Sequence, residues 1–351
     1  MGRHSVQSGH MSSNYEAILE SIARTPRRWL ITGCTGFIGS HLLAALLEAG
    51  QHVTGLDDFS SGKQENLDAV LAQVGEQSWA RFRLIKGDIR DASACRDACR
   101  DTDIVVHLAA MVSVPLSLQE PDRCQSINVD GFLSVLDAAR AAGVQRIVYA
   151  SSSAVYGDSS EMPLREDGVV QPTSPYGASK LADESHAQAF SRDSGIATVG
   201  LRYFNVFGPR QDADGGYAAV IPKWIAASLR GEPCKINGDG SSTRDFCHVA
   251  NVIQANVLAA IVPMRGSHIF NVGLGSCMSL NELSAIIVSH LHAVSPADEH
   301  PNPVHGPTRL GDIVHSQADV SKIRSQLGFE PTVSVSEGIE QLMRMRTSGI
   351  L

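Results

Sequence analysis

"RWLITGCTGFIGSHLLAALLEAG", residues 28–50, runs an apolar strand into Gly33-Cys34-Thr35-Gly36-Phe37-Ile38-Gly39 and then into a helical pattern. A G-x-x-G-x-x-G at a strand-to-helix turn lets backbone approach a pyrophosphate, whose charge the helix N-terminus stabilises. A tight turn with close helix packing needs the same glycines, so the motif alone is weak evidence. The next strand decides between the two.

"VTGLDD" ends in Asp57, 18 residues after Gly39. A carboxylate there accepts both ribose hydroxyls of NAD and repels the 2′-phosphate of NADP, so the expected cofactor is NAD. Asp58 reads as a solvated neighbour that could share the ribose. "KGDIR" places Asp88 and Ile89 at a third strand end, where Asp88 suits the adenine amino group or, equally, a turn. "HLAA", residues 107–110, closes a fourth strand with small side chains across which a cofactor could lie; His107 reads as a satisfied structural histidine.

Outward from this turn, apolar runs alternate with helical stretches as far as "ATVGLRYFN", with helices expected over 37–49, 91–100, 121–142 and 175–194. That βαβα beat predicts an α/β fold, a Rossmann doubly wound parallel sheet with helices on both faces. Beyond residue 206 the beat breaks into "GPRQDADGG", "NGDGSSTRD" and "HPNPVHGPTRLGD", loops between shorter elements. The expected organisation is a tag scar and N-terminal lead over 1–26, an NAD-binding domain over 27–205, and a smaller, mainly substrate-binding region over 206–351 that could interleave with the sheet. Composition agrees with an enzyme: 351 residues are enough for a real core, and a net charge of -8 argues against nucleic acid as a partner. Seven cysteines without a C-x-x-C pair suggest neither a disulfide framework nor a metal site, and fit a reducing cytoplasm. No apolar run reaches 18 residues, so no membrane span is expected.

"SPYGASK", residues 174–180, supplies the chemistry. With Pro175 opening a helix, Tyr176 and Lys180 lie one turn apart on one face. A free phenol, with a pKa of about 10, is a poor base near neutrality, but a lysine ammonium and a positive nicotinamide ring both stabilise its phenolate. Lys180 could also hold the nicotinamide ribose, so the pair makes a general base beside NAD. "YASSSAVYGD" adds Ser151, Ser152 and Ser153 at the end of the fifth strand. Ser152 is the candidate to hydrogen-bond the reacting oxygen and Ser153 to reach the substrate, with capping as the alternative use of any one serine.

With these motifs in order, followed by "LRYFNVFGPRQ", "GDGSSTRDFCHV" and "RLGDIVHSQAD", the chain resembles an extended short-chain dehydrogenase/reductase of the nucleotide-sugar 4-epimerase type over residues 27–345. The resemblance implies that Gly33, Gly36, Phe37, Ile38, Gly39, Asp57, Asp88, Ile89, Tyr176 and Lys180 touch NAD. It implies a UDP-sugar substrate, with Asn205 on its diphosphate side, Val220 and Lys223 near uracil, Arg244 and Arg309 on the pyrophosphate, and Asp312 on the uridine ribose. Bottom-up, arginines in glycine-rich loops of an acidic protein suit a diphosphate. Relatives also pair through helices equivalent to 121–142 and 175–194, so a homodimer is expected.

The reaction follows from what is missing. Dehydratases and decarboxylases of this type carry an acid just after the strand-five serine or threonine, where this chain has Ser153 and Ala154. The expected cycle is therefore C4 inversion through a 4-keto sugar, with NAD regenerated and retained. For the sugar, a gatekeeper four residues after Asp312 is Ser316 rather than a tyrosine, which leaves room beside C2 for an N-acetyl group. Ser153, Thr173 and Arg202 are candidates to meet a C6 carboxylate, although Arg202 could equally be a structural ion pair. These residues put UDP-glucuronic acid first and UDP-N-acetylglucosamine second. Asn205 and Asp212 depart from the threonine and arginine of many glucuronate epimerases.

Overall fold

The computed structural model describes residues 14–212, 219–294, 301–308 and 314–347. Seven parallel strands form its central sheet: β1 Arg28–Thr32, β2 His52–Asp57, β3 Phe82–Lys86, β4 Ile104–His107, β5 Arg146–Ser152, β6 Ala197–Tyr203 and β7 Ser267–Val272. Their order is β7-β6-β5-β4-β1-β2-β3, so the winding direction reverses between β1 and β4. Ligands of such sheets bind in the crevice outside that reversal.

Both faces are covered, as continuous apolar strands demand. Successive side chains of a strand point to opposite faces. Accordingly Trp29, Ile31, Val106, Val148 and Val199 join one core. Leu30, Val105, Ile147 and Tyr149 join the other. Among the described residues the first helix is α1 (Asn14–Arg24), and α2 (Phe37–Glu48) and α3 (Gln64–Trp79) follow β1 and β2. Next come α4 (Ala92–Cys99), α5 (Val114–Gln119), α6 (Pro121–Gln125), α7 (Gly131–Ala142) and α8 (Pro175–Ser194). The stretch expected as one helix over 121–142 is α6 and α7 joined by a π turn over Ser126–Asp130.

After β6 come α9 (Val220–Leu229), α10 (Val249–Ile261), α11 (Leu280–Val294), α12 (Ser321–Leu327) and α13 (Val335–Thr347). The expected boundary at 205/206 does not coincide with the end of the sheet. β7 pairs with β6 in register, Ser267 beside Thr198 through Val272 beside Tyr203. α10 packs on the same core as α2, its C-terminal carbonyls held by the buried Arg146 guanidinium at 2.8 Å from Ala259 O and 3.3 Å from Val262 O. A separate core of Phe207, Ile221, Trp224, Phe246, Leu283 and Ile339 builds the remaining region. Within the expected N-terminal lead, the described part folds as α1, which buries Ile22 and donates from Asn14 Nδ2 to Leu327 O. Helix α3 escapes the hydrophobic pattern because it is amphipathic only in part and bends at Gly75, whose φ is 73°.

Candidate active site

The first turn is built as its glycines require. Gly33 has φ +73°, and a Cβ on it would sit 2.8 Å from Ala109 N, against the chain leaving β4. A Cβ on Gly39 would lie 2.0 Å from Gly33 O, so only glycine lets α2 start this close to the turn. Asp57, 7% exposed, accepts Thr35 N at 2.9 Å and Phe59 N at 2.9 Å, which fixes the carboxylate at the end of β2. Asp88 forms a turn, accepting Arg90 N at 2.8 Å, and pairs with the Arg90 side chain. That arginine holds the Asp88 carboxyl below the usual carboxylate range. The turn reading of Asp88 thus holds while the residue still faces the cleft.

A cleft of about 650 Å³ runs over the carboxyl edge of the sheet. Gly33, Gly36, Phe37, Ile38, Gly39, Asp57, Asp88 and Ile89 line one end. Ser152, Ser153, Tyr176, Lys180 and Asn205 line the other. β1 and β4 stop together, with Thr32 beside His107, while β5 runs on past Tyr149, the partner of His107, to carry Ser151 and Ser152 over that edge.

Ser174 caps α8, accepting Gly177 N at 3.1 Å, and Pro175 takes its first turn. The helix therefore starts where Tyr176 meets the cleft, its backbone N donating to Ser117 Oγ at 3.1 Å. Lys180, 1% exposed, donates from Nζ to Asp183 Oδ2 at 3.2 Å in a fully buried ion pair. Ser152 Oγ accepts Ala154 N at 3.1 Å and so ends β5, a capping role that leaves the hydroxyl's own proton to donate into the cleft. His107 is structural: Nδ1 lies 2.8 Å from Thr32 Oγ1, the ring stacks on Phe132 at 5.0 Å, and burial lowers its pKa to about 3.

Of the two roles expected for Arg202, the structure shows the ion pair: it makes a bidentate pair with Glu184, at 2.8 and 2.7 Å, over the Tyr156 ring. Ser151 Oγ completes that cluster by donating to Glu184 at 2.6 Å. β6 enters the buried layer beneath α8, where a guanidinium requires a partner, and Glu184 supplies it. Arg202 does not line the cleft. Ser316, 5% exposed, does not line it either; it lies between Val314, whose carbonyl accepts Thr243 N, and Gln317, whose carbonyl accepts Leu164 N.

Of the residues expected at the uridine end, Val220, Lys223 and Arg244 do not line the cleft. Val220 and Lys223 open α9, with Lys223 exposed. Arg244 Nη1 donates to Thr243 O at 2.8 Å and to Val314 O at 3.4 Å. Arg309 and Asp312 lie outside the described residues. Asp245, unremarked in sequence, joins these loops: it accepts Leu274 N, Gly275 N and Ala318 N at 2.8 to 3.1 Å, and burial raises its carboxyl to about 6. Asn205 donates to its carbonyl at 3.3 Å. The cleft also takes in Leu108–Ala110 of "HLAA" and Tyr203 and Gln211 of "LRYFNVFGPRQ", together with Ser60–Gly62, the segment from Met111 to Val114 and Arg123, which carry no sequence motif. Asp183 and Glu184 were legible as the third and fourth residues after Lys180, the helix-neighbour spacing.

The NAD dependent epimerase/dehydratase family matches residues 29–273. A UDP-glucose 4-epimerase of Mycolicibacterium smegmatis is 39% identical over 314 residues, covering 89% of this chain and 96% of the relative. Among solved structures, the UDP-N-acetylglucosamine 4-epimerase of Methanobrevibacter ruminantium, in complex with UDP-N-acetylmuramic acid, superposes with a TM-score of 0.84 at 38% identity, over 92% of this chain and 99% of that one. MoeE5, in complex with UDP-glucuronic acid and NAD, gives 0.78 at 34% identity, over 92% and 99%. The Gly33–Gly39 cradle and the fixed Asp57 carboxylate fit the dinucleotide that this family uses. With that cradle, the Tyr176–Lys180 pair and these likenesses together, the chain belongs to the NAD-dependent epimerase/dehydratase family, and its cofactor is NAD.

Proposed function

We propose that this protein inverts C4 of a UDP-hexose through a 4-keto sugar. The observation that carries the reading is the meeting of Tyr176, Lys180 and Ser152 in the same cleft as the dinucleotide cradle. Bound NAD supplies the hydride acceptor and donor for C4. Tyr176 takes the proton of the C4 hydroxyl, and Ser152 donates a hydrogen bond to the oxygen as it becomes a carbonyl. The ammonium of Lys180 stabilises the phenolate form of Tyr176. Ala154, following Ser153, offers no acid for eliminating water, which supports inversion over dehydration.

For the sugar, the structure changes the balance between two readings. With Arg202 committed to Glu184, the uronate loses the cation proposed for its carboxylate. UDP-N-acetylglucosamine becomes the first substrate to test, supported by the likeness to the M. ruminantium enzyme. UDP-glucuronic acid is the second, supported by the likeness to MoeE5 and by Ser153 in the cleft.

Nuclear magnetic resonance of product mixtures tests both levels. The purified protein, without added NAD, is expected to convert UDP-N-acetylglucosamine to its galacto epimer faster than UDP-glucuronic acid. Tyr176→Phe is expected to slow turnover by about 100-fold or more while NAD remains bound. Undiminished turnover by Tyr176→Phe rejects the mechanism; faster turnover of the acidic sugar returns the uronate to first place.

A further inference from the structure

The mechanism leaves one buried charge unused. Asp183 lies in the third turn of α8, on the face packed against the sheet, with a side chain 1% exposed. An aliphatic residue would serve packing there, and a buried carboxylate is costly unless paired. Its ion-pair partner is Lys180, through Oδ2 at 3.2 Å, while Oδ1 is buried without a hydrogen-bond partner. The structure thus gives this carboxylate one hydrogen-bonded partner, the ammonium that lines the same cleft as Tyr176.

We propose that Asp183 is a positioning residue for catalysis, holding Lys180 Nζ against the cleft wall and offsetting part of the charge that Lys180 presents to Tyr176. The inference rests on the assignment of Tyr176 and Lys180 above. Tyr176, Lys180 and Asp183 follow one another at four and three residues, so all three share a face of α8. Asp183 stands two turns from Tyr176, about 10.5 Å along the axis. A negative charge on the same helix face disfavours a phenolate.

The surroundings decide when that charge is present. Burial raises the Asp183 carboxyl to about 6, with Lys180 opposing the rise and Glu184 adding to it. From the sheet, His107 of β4 and Tyr149 of β5 face this layer, both kept neutral by burial. Arg202 of β6 is neutralised by Glu184. From α6, Cys124 is also held as the thiol by burial. No second cation among these groups competes with Lys180 for Asp183. Above about pH 6 the carboxylate is charged and restrains the base, and below it the full Lys180 charge acts.

The test is the pH profile of kcat/KM together with a spectroscopic titration. The absorbance difference near 295 nm between each protein and its Tyr176→Phe counterpart reports that phenolate. Asp183→Asn keeps a hydrogen-bond acceptor for Lys180 and removes the charge. Its acid limb and phenolate midpoint are expected to move to lower pH. Asp183→Glu, which keeps the charge, is expected to hold the wild-type midpoint. If Asp183→Asn does not fold, Asp183→Ser is expected to give the same downward shift. An unchanged or raised midpoint in the neutral variants, with Tyr176→Phe inactive, overturns the role of Asp183 and leaves the Tyr176 mechanism standing. An active Tyr176→Phe with no phenolate signal to subtract overturns both.

Discussion

Breaking the Arg202–Glu184 pair from one side should be far more damaging than removing both charges. The pair is bidentate at 2.7 and 2.8 Å, with side chains 5% and 7% exposed, and Ser151 Oγ adds a third bond at 2.6 Å. Arg202→Met leaves Glu184 as an uncompensated buried carboxylate, and Glu184→Leu leaves a buried guanidinium. Each single change is expected to cost about 3 to 5 kcal/mol. For a chain of 351 residues, an unfolding entropy of about 2.1 cal/mol/K per residue converts that to a fall in Tm of about 4 to 7 °C. The double variant buries two apolar side chains and leaves only Ser151 without its acceptor, a cost of about 1 kcal/mol. Its Tm should therefore lie within about 1 to 3 °C of the parent and above both singles. Thermal unfolding of the four proteins at neutral pH completes the cycle. A double variant as unstable as the sum of the two singles would refute the claim that the charges exist for each other. Retained epimerisation of a neutral sugar by that double variant would further place Arg202 outside the reaction.

Three other changes probe the cradle and the buried histidines. Asp57→Ala removes the acceptor of Thr35 N and Phe59 N along with the ribose carboxylate, and should weaken NAD by about 10-fold or more while relaxing discrimination against NADP; fluorescence titration with both reduced cofactors decides it. Gly39→Ala sets a methyl 2.0 Å from Gly33 O, so the turn must open; loss of NAD from purified protein is expected, and full retention would contradict the geometry. Burial lowers His41 to about 4, His107 to about 3 and His248 to about 4, so the stability they confer is present above pH 6.5 and is lost as pH falls towards those values. Asp183 and Asp245, raised to about 6, act in the opposite sense, their stability being present below about pH 3.8 and lost as pH rises through about 6. Near pH 5 these groups leave the unfolded chain about one proton ahead, so the unfolding free energy should fall by roughly 1 kcal/mol per pH unit on acidification, and Asp183→Asn should steepen that slope.

The local chemistry of this protein was written in its sequence, because it depends on short-range geometry. Glycines at 33, 36 and 39 can only mean a close backbone approach or a tight turn, and here they mean both. The spacing of Tyr176 and Lys180 is a property of any helix, and Ser174-Pro175 marks where that helix starts. The alternation of apolar strands and helices likewise sufficed for a parallel sheet, since strands buried on both faces need no partner information to be apolar.

Tertiary structure decided what depends on partners distant in the chain. An arginine in "GLRYFN" looks the same whether it meets a ligand or Glu184, and only the packing of β6 beneath α8 made the choice. Ser316 was read as a sugar neighbour from the resemblance, and what the sequence did not show is that the chain around it is fixed by Leu164, Thr243 and Asp245, three residues far away in sequence. The seventh strand was hidden because "SHIFNV", although it follows α10, is separated from β6 by the loops and short elements between residues 206 and 248, and its place is set by pairing with β6. Asp183 was visible as a letter but not as a buried charge. Helical spacing put it near Lys180, and only the sheet closing over α8 removed the water that would otherwise have screened the pair.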